Sequence, residues 1–342
     1  MQALVPADIR RLEALLAAAG RVCIAVHTHP DGDALGSGTA LLAYLRLCRG
    51  VEARLLLPDP APDSLDFLLA SDGVLTAADP LPARTWIAES DLIFCLDMNG
   101  FSRAESLEAP LRESRARKVL IDHHQHPDRE AFDLVFSETE ISSASELLYH
   151  VLLALPGVGA ADRLPLQVLT PLMAGMTTDT NNFANSVYPS TFRMASELIA
   201  AGVDRDALLE KLYRSYRENR VRLMGYMQNE GLRLLEEGAA YMILTKALQD
   251  RFDLRDGESE GLVNVPLTIG KVRLSVLLKE DGDHFRVSVR SKKGTSAQNL
   301  AQRFFHGGGH ENAAGGKLFP GQDFTPGKAD EHLRQILKDY LR

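Results

Sequence analysis

The apolar run Val119 to Ile121 stops abruptly in Asp122-His123-His124. A short apolar run without alternation reads as a strand buried on both faces, as in the middle of a parallel sheet. Three polar side chains able to bind metal then stand where such a strand leaves its sheet. Open α/β sheets bind ligands at the carboxyl ends of their strands. Two histidines in one turn would carry little weight alone. The same punctuation recurs along the chain, and that recurrence restricts the fold more than any other feature.

Val22 to Val26 is another apolar run, and it leads straight into His27-Thr28-His29-Pro30-Asp31-Gly32-Asp33. Pro30 and Gly32 force a turn, and a helix is expected through Ala40, Leu41, Leu42, Tyr44 and Leu45. Strand, polar turn and helix make the first half of a βαβ unit. Ala53 to Leu57 reads as a strand followed by a Pro- and Asp-rich connection, and Leu92 to Leu96 as one that ends in Asp97. Ahead of them, Ile9, Leu12, Leu15 and Leu16 mark an amphipathic helix. Ser143 and Glu146 suit a capping box for a helix reaching Leu155. The helical run from Leu164 to Met176 should be kinked or divided by Pro171. It delivers a further acid, Asp179, between two threonines.

From Ser190 to about Gly231 the pattern is helical and increasingly charged. Strands are then expected over Ala240–Leu244, Val272–Leu278 and Phe285–Val289, with a hairpin turn at Asp281-Gly282 and a last helix over Ala329–Leu341. The fold class is therefore α/β. A parallel-sheet domain with flanking helices spans 1–220, a connection spans 221–235, and a smaller α+β domain spans 236–342. A chain of 342 residues is long enough for two such cores. Its formal charge of −8 argues against a generally basic protein that coats nucleic acid, without excluding a local basic patch. Cys23, Cys48 and Cys95 are scattered in apolar contexts, as expected of packed thiols in a reducing cytoplasm. No apolar run has the length of a membrane span, and no signal-peptide pattern opens the chain.

His27, Asp31, Asp33, Asp97, Asp122, His123, His124 and Asp179 all close strands or helices of the first domain. One acid at a strand end is ordinarily solvated or a helix cap. Several on one sheet edge would repel one another severely unless cations neutralised them. Carboxylate and imidazole donors without thiolate point to manganese, magnesium, iron or zinc, and the number of donors suits two ions.

These residues resemble the signature of the DHH phosphoesterases, a family named for the residues found here at Asp122, His123 and His124. The likeness extends through His27-x-x-Pro30-Asp31-Gly32-Asp33-Ala34, Asp97 and Thr178-Asp179-Thr180 to Gly307-Gly308-Gly309-His310 and Ala313-Ala314-Gly315. In length and domain content the chain looks most like the NrnA-type oligoribonucleases and pAp phosphatases. The resemblance implies two divalent ions, manganese or alternatively magnesium. His27, Asp31 and Asp97 would hold one, and Asp33, Asp97, His123 and Asp179 the other. His124 would act on a phosphate oxygen beside the metals, and Asp122 would orient a histidine. Arg290, Gly308, Gly309 and His310 would hold a terminal phosphate or nucleotide. Two departures stand out: Asn181 and Asn182 where the family often has glycine, and His306 ahead of the glycine run.

The residues themselves add to this reading. Between Phe285 and Phe305 the chain carries Arg286, Arg290, Lys292, Lys293 and Arg303 and no acid. Alternation of Phe285, Val287 and Val289 puts Arg286, Ser288 and Arg290 on the other strand face, and the glycine run lets backbone N–H groups approach an anion. The expected partners are short RNA oligonucleotides, pAp or dinucleotides, with no membrane and with homodimer formation left open. The activity that the resemblance implies is hydrolysis of very short RNA to mononucleotides, and of pAp to AMP. A length ruler, with one domain gripping an end while the other cuts, would favour short chains. Hydrolysis of linear or cyclic dinucleotides, or a non-catalytic nucleotide-binding module, is the alternative.

Overall fold

The computed structural model describes residues 4–69, 72–255 and 257–341. The chain divides into two compact units, Met1–Ser215 and Tyr216–Arg342. In the first, the apolar runs become β1 (Arg21–Ala25), β2 (Glu52–Leu57), β3 (Val74–Thr76), β4 (Leu92–Leu96), β5 (Arg117–Asp122) and β6 (Leu134–Ser137). They pair in the order β3-β2-β1-β4-β5-β6, all parallel. This order reverses direction between β1 and β4, which opens a crevice beyond the carboxyl ends of those two strands. In register, Ile24 lies between Leu55 and Phe94, at the centre of the sheet.

Both faces of the sheet are covered, which is why its central strands lack alternation. The helices are α1 (Pro6–Ala18), α2 (Gly32–Ala43), α3 (Pro80–Glu89), α4 (Glu108–Glu113), α5 (Ala144–Ala154), α6 (Leu166–Asp179), α7 (Pro189–Ala200) and α8 (Arg205–Tyr213). Val22, Ile24 and Val26 pack in one core with Leu35 of α2, Leu147 of α5 and Leu172 of α6. Cys23, Ala25, Ile93 and Cys95 pack in another with Ala83 and Ile87 of α3. Cys23 and Cys95 are thus packed thiols, pushed up by burial. Cys48 is not packed; it is exposed at the end of a π-helical turn over Tyr44–Cys48.

Pro171 does not divide its helix. Helix α6 runs unbroken from Leu166 to Asp179 with the proline inside. The Pro171 carbonyl oxygen faces α2, where a Cβ on Gly36 would stand only 2.6 Å from it and 2.9 Å from the Gly175 Cα. The two glycines let α2 and α6 cross backbone to backbone, which carries the start of α2 and the end of α6 to the same edge. β3, β6 and α3 escape the sequence patterns. β3 is three residues long and only half buried. α3 opens on Pro80-Leu81-Pro82, which reads as loop although proline is well suited to the first helical position.

The second unit holds β7 (Arg233–Leu234), β8 (Ala239–Leu244), β9 (Leu274–Asp281), β10 (His284–Ser291), β11 (Gly308–His310) and β12 (Ala313–Leu318). Their order is β11-β12-β10-β9-β8-β7, with β8 and β9 parallel and the remaining pairs antiparallel. The β9–β10 hairpin turns where expected, with Gly282 at φ 62° between Asp281 and His284. Helices α9 (Glu218–Tyr226), α10 (Lys246–Arg251), α11 (Ala297–Phe304) and α12 (Ala329–Leu341) complete it. Val276, Val287 and Val289 form a core with Leu300 of α11 and Leu333 of α12. On the opposite sheet face, Leu223, Met227 and Leu262 pack on Met242 of β8 and Leu277 of β9. Among the described residues no helix is long and apolar enough to cross a membrane.

Candidate metal centre

The crevice between β1 and β4 gathers acids and imidazoles from five places in the chain. His27 lies just beyond β1, and its Nδ1 is 2.8 Å from the Thr28 carbonyl oxygen. An N–H at Nδ1 donating to that carbonyl leaves the Nε2 lone pair facing inward. Asp31 is the N-cap of α2; its Oδ1 accepts from the N–H groups of Asp33 (3.0 Å) and Ala34 (3.2 Å). The same oxygen lies 3.8 Å from His27 Nε2. Asp31 is therefore both a helix cap and a member of the cluster.

Asp97 sits at the middle. It follows β4 in the left-handed backbone region at φ 56°, a strained position for a residue with a side chain. Its two oxygens face different groups. Oδ2 is 3.4 Å from His27 Nε2, while Oδ1 is 3.3 Å from His123 Nε2 and 3.7 Å from His124 Nδ1. His123 Nε2 also lies 3.6 Å from Asp179 Oδ2 and 3.9 Å from Asp33 Oδ2. His124 Nδ1 is 2.7 Å from Oδ1 of the fully buried Asp122. All eight residues singled out in this unit are thus brought together. His29 lies beside Asp59 and Cys95 is buried in the sheet; neither they nor His126 make any of these contacts among those described.

Asp33 has partners that sequence reasoning missed. Its carboxylate accepts from the first two amides of α5, Ala144 N–H to Oδ2 (2.6 Å) and Ser145 N–H to Oδ1 (2.9 Å). The capping box was legible in the sequence, but its target 111 residues away was not. Half of the box is present: the Ser143 hydroxyl accepts from Glu146 N–H at 3.0 Å, while the Glu146 carboxylate accepts from Ser142 N–H, one residue before the N-cap. Asp59, between Pro58 and Pro60, also supports the site. It follows β2 and accepts from the Thr28 hydroxyl and, at 2.8 Å, from His29 N–H, pinning the loop between His27 and Asp31. An acid after a strand was the signal used elsewhere; flanking prolines disguised it here.

The electrostatics ask for positive charge. Burial pushes the Asp33 carboxyl well up, and Asp97 and Asp179 add to the shift. Burial, with the charges of Asp97 and Asp31, lifts Asp179 to about 6 against the pull of His123. Burial opposes charge on His27, but Asp31 and Asp97 outweigh it and raise its pKa to about 10. His123 is raised despite burial by Asp179, Asp97 and Asp33. Burial works against an ionised Asp97 too, yet His123 and His27 outweigh it and hold that carboxyl far below the carboxylate range. With protein groups alone, a proton is held on each side of Asp97.

The donors fit divalent cations. Atoms that share one ion at roughly 2.0–2.2 Å lie roughly 3–4 Å apart, and the separations above fall in that range. Asp97 Oδ1 is buried and accepts no hydrogen bond among the described residues, and neither does Asp122 Oδ2 or the Ser145 hydroxyl. An orphaned buried carboxylate oxygen needs a cation or a water to offset its desolvation. Carboxylate and imidazole without thiolate suit manganese or magnesium.

The expected phosphate-holding residues lie in the second unit. Arg290 on β10 and His310 on β11 both stand in register with Ala313 of β12. The glycine run is required sterically: a Cβ on Gly309 would approach the Ala313 carbonyl oxygen to 2.6 Å. His306 is turned away to Asp323, with Nε2 2.9 Å from Oδ1, so it braces the Phe319–Asp323 turn. After Asp179, Asn181, Asn182 and Phe183 are consecutively left-handed, at φ 47°, 55° and 66°. Asn tolerates that region better than most residues, which accounts for asparagines where glycine is frequent.

Comparison with known proteins agrees with this construction. The family model described as "DHH family, N-terminal domain" matches residues 21–176, and the "DHHA1 domain" matches 239–340. The chain is 30% identical to the bifunctional oligoribonuclease and PAP phosphatase NrnA of Bacillus subtilis, over 86% of this chain and 88% of that protein. It is 29% identical to the cyclic-di-AMP phosphodiesterase GdpP of Geobacillus thermodenitrificans, over 96% of this chain but 49% of that protein. An exopolyphosphatase-related protein from Bacteroides fragilis superposes with a TM-score of 0.91 at 32% identity, covering 100% of this chain and 98% of its own.

Proposed function

The chain belongs to the DHH family, and on that premise we propose that it is a two-metal phosphoesterase that hydrolyses very short RNA to mononucleotides and pAp to AMP. The observation that carries the reading is the position of Asp97, one oxygen toward His27 and the other toward His123. A carboxylate so placed can be shared by two ions. His27, Asp31 and Asp97 would hold one, and Asp33, Asp97, His123 and Asp179 the other. Bound there, a pair of divalent cations, manganese or magnesium, supplies an acidified water and a clamp on the phosphoryl oxygens.

The protein's own groups do the rest. Asp122 fixes the His124 ring through Nδ1, leaving Nε2 to hold a phosphoryl oxygen or pass a proton to the leaving oxygen. The α5 amides fix Asp33, so the second donor set is rigid before substrate arrives. Arg290, Gly308, Gly309 and His310 would take a terminal phosphate through the arginine and the glycine-rich backbone.

The test is a time course on labelled oligoribonucleotides of two to ten residues and on pAp, with manganese, magnesium or chelator. Conversion of the shortest RNAs and of pAp, lost with chelator, is expected. Absence of metal-dependent turnover on both would refute it. The match to GdpP supports a second reading, hydrolysis of a cyclic dinucleotide. Cyclic di-AMP in the same assay decides whether it is consumed faster than linear dinucleotide.

A further inference from the structure

The second unit has a cavity of about 490 Å³ where the loop before α11 meets the start of β9 and the last turn of α12. Its walls include Arg273, just ahead of β9, Thr295 and Ser296 in the loop, Asn299 and Arg303 on α11, and Tyr340 on α12. Ser296, Asn299 and Arg303 follow one another at helical spacing of three and four residues, so they share one helix face. Helix α11 packs on the sheet face of Val287 and Val289. Strand alternation puts Arg290 on the other face. Of the basic stretch that stands out in the sequence, Arg303 therefore parts from Arg290, and the cavity is a place apart from the phosphate-holding residues described above.

The walls suit an anion. Arg273 is held by backbone: its Nη2 donates to the carbonyl oxygens of Glu237 (3.3 Å) and Leu341 (3.2 Å), which leaves the other N–H groups of the guanidinium unused. Arg303 lies over the rings of Phe304 and Tyr340, 5.0 and 6.0 Å from their centroids. Its planar fork is thus placed without being neutralised. Neither arginine is paired with a carboxylate among the described residues. Thr295 is only 8% exposed, yet its hydroxyl has no hydrogen-bond partner among the described residues. A buried hydroxyl in that state is a cost that a bound acceptor removes. The volume falls within the roughly 300–1,000 Å³ of small-molecule sites, well beyond what a single phosphate group fills. Two guanidinium forks and a hydroxyl suit a phosphate monoester, while the Asn299 amide and the Tyr340 ring offer hydrogen bonds and stacking surface to a base.

We propose that this cavity is a second, regulatory site for a mononucleotide, whose phosphate sits between Arg273 and Arg303 and whose binding loosens the unit's hold on substrate. The identity of the occupant rests on the function proposed above, because both reactions release a mononucleotide. The loop wall is tied to the substrate residues by short paths. Ser291, next to Arg290, donates its hydroxyl to the Thr295 carbonyl at 2.6 Å. The Ala297 N–H donates at 2.7 Å to the carbonyl of Glu311, which is next to His310. The Ser296 hydroxyl donates to Glu311 Oε2 at 2.8 Å. A phosphate at this wall competes with Glu311 for that hydroxyl and repels its carboxylate, which frees the chain at His310. Product at the cavity and substrate at Arg290 and His310 therefore oppose each other, by the same factor in both directions.

The probe is labelled AMP, in equilibrium dialysis against the full chain with chelator present. Arg290→Ala serves as the background, so that the residues on the other sheet face do not contribute. One AMP per chain should bind. Adding Arg303→Ala should weaken it about tenfold or more, and adding Thr295→Val about threefold, as expected for a charged and a neutral hydrogen bond. Adenosine should not compete, and inorganic phosphate should compete only weakly. In turnover of a cytidine dinucleotide, Arg303→Ala should leave the KM without AMP within about twofold and relieve inhibition by AMP about threefold or more. No AMP binding by the Arg290→Ala chain, or binding indifferent to Arg303→Ala, would overturn the site. Inorganic phosphate competing as well as AMP would overturn its assignment to a nucleotide, and equal inhibition of the parent and Arg303→Ala chains its coupling to substrate. Dialysis needs no turnover: if AMP binds as described but no phosphoester is hydrolysed, the enzymatic reading fails and the site stands.

Discussion

Asp97 combines a strained left-handed backbone with a buried carboxylate whose oxygens face opposite ways. Replacing it with alanine removes the group that both donor sets share. Asp97→Ala should lower kcat on the shortest RNA by on the order of a thousandfold or more. Activity within tenfold of the parent would remove Asp97 from the centre of the account. Asp122→Asn is a milder case, because Asp122 acts through His124; such partners cost roughly 10–100-fold. The ordinary metal affinity of that variant should survive. Titration sets a further expectation. His27, at about 10, and the raised His123 keep protons that an ion must displace. Manganese affinity should therefore rise with pH between about 6 and 9. Calorimetry in buffers of different ionisation enthalpy should show roughly two protons released per chain near neutral pH. No proton release would contradict the arrangement.

At the scale of elements, the site depends on how α2, α5 and α6 meet. A Cβ on Gly175 would overlap the Ser145 hydroxyl and stand 2.8 Å from Asp33 Oδ1. Gly175→Ala should push α6 from α5 and shift Asp33, weakening ion binding more than it lowers Tm. The N-terminus of α5 is tied to α7 through Glu146, whose Oε2 accepts from Ser142 N–H (3.2 Å) and from the hydroxyls of Ser142 and Thr191 (2.7 Å for Thr191). Burial pushes this carboxyl up, but the nearby His150 ring, 3.7 Å away, and the hydroxyls of Ser142, Ser190 and Thr191 prevail and bring it to about 2, below its ordinary 4.5. A depressed folded-state pKa stabilises above the unfolded value and ceases to do so as pH falls through the folded one. Glu146→Gln should thus cost about 3 kcal/mol at pH 7, since each tenfold change in the acid constant is worth about 1.36 kcal/mol. The gap from the parent should close between about pH 4.5 and 2 in denaturant titrations. A gap independent of pH would show that the ionised form is not what matters. The capping residues of α5 could be read from sequence because caps are local. Their grip on Asp33 could not, because it arises only when α5 packs beside α2.

For the whole molecule, what the sequence revealed follows from where the sheet's strands end. Val22–Val26, Leu92–Leu96 and Val119–Ile121 could be recognised because strands buried on both faces are apolar throughout, and each is followed by a polar residue of the cluster. β3 and β6 sit at the sheet's two edges, short and half covered, and left no such mark. Pro171 misled because a proline inside a helix usually breaks it; here α6 continues through it and is packed against Gly36. In the second unit, Arg290→Ala should raise KM for di- to tetranucleotides strongly while bound manganese stays unchanged. Loss of the metal in that variant would contradict separate roles for the two units. Two divalent ions sharing Asp97 is a statement about stoichiometry, so the decisive quantity is the number of ions bound per chain. Equilibrium dialysis of the full chain against manganese, with bound metal measured by mass spectrometry, should give two ions per chain for the parent and fewer than two for Asp97→Ala. One ion or none in the parent, or two retained in the variant, would contradict it.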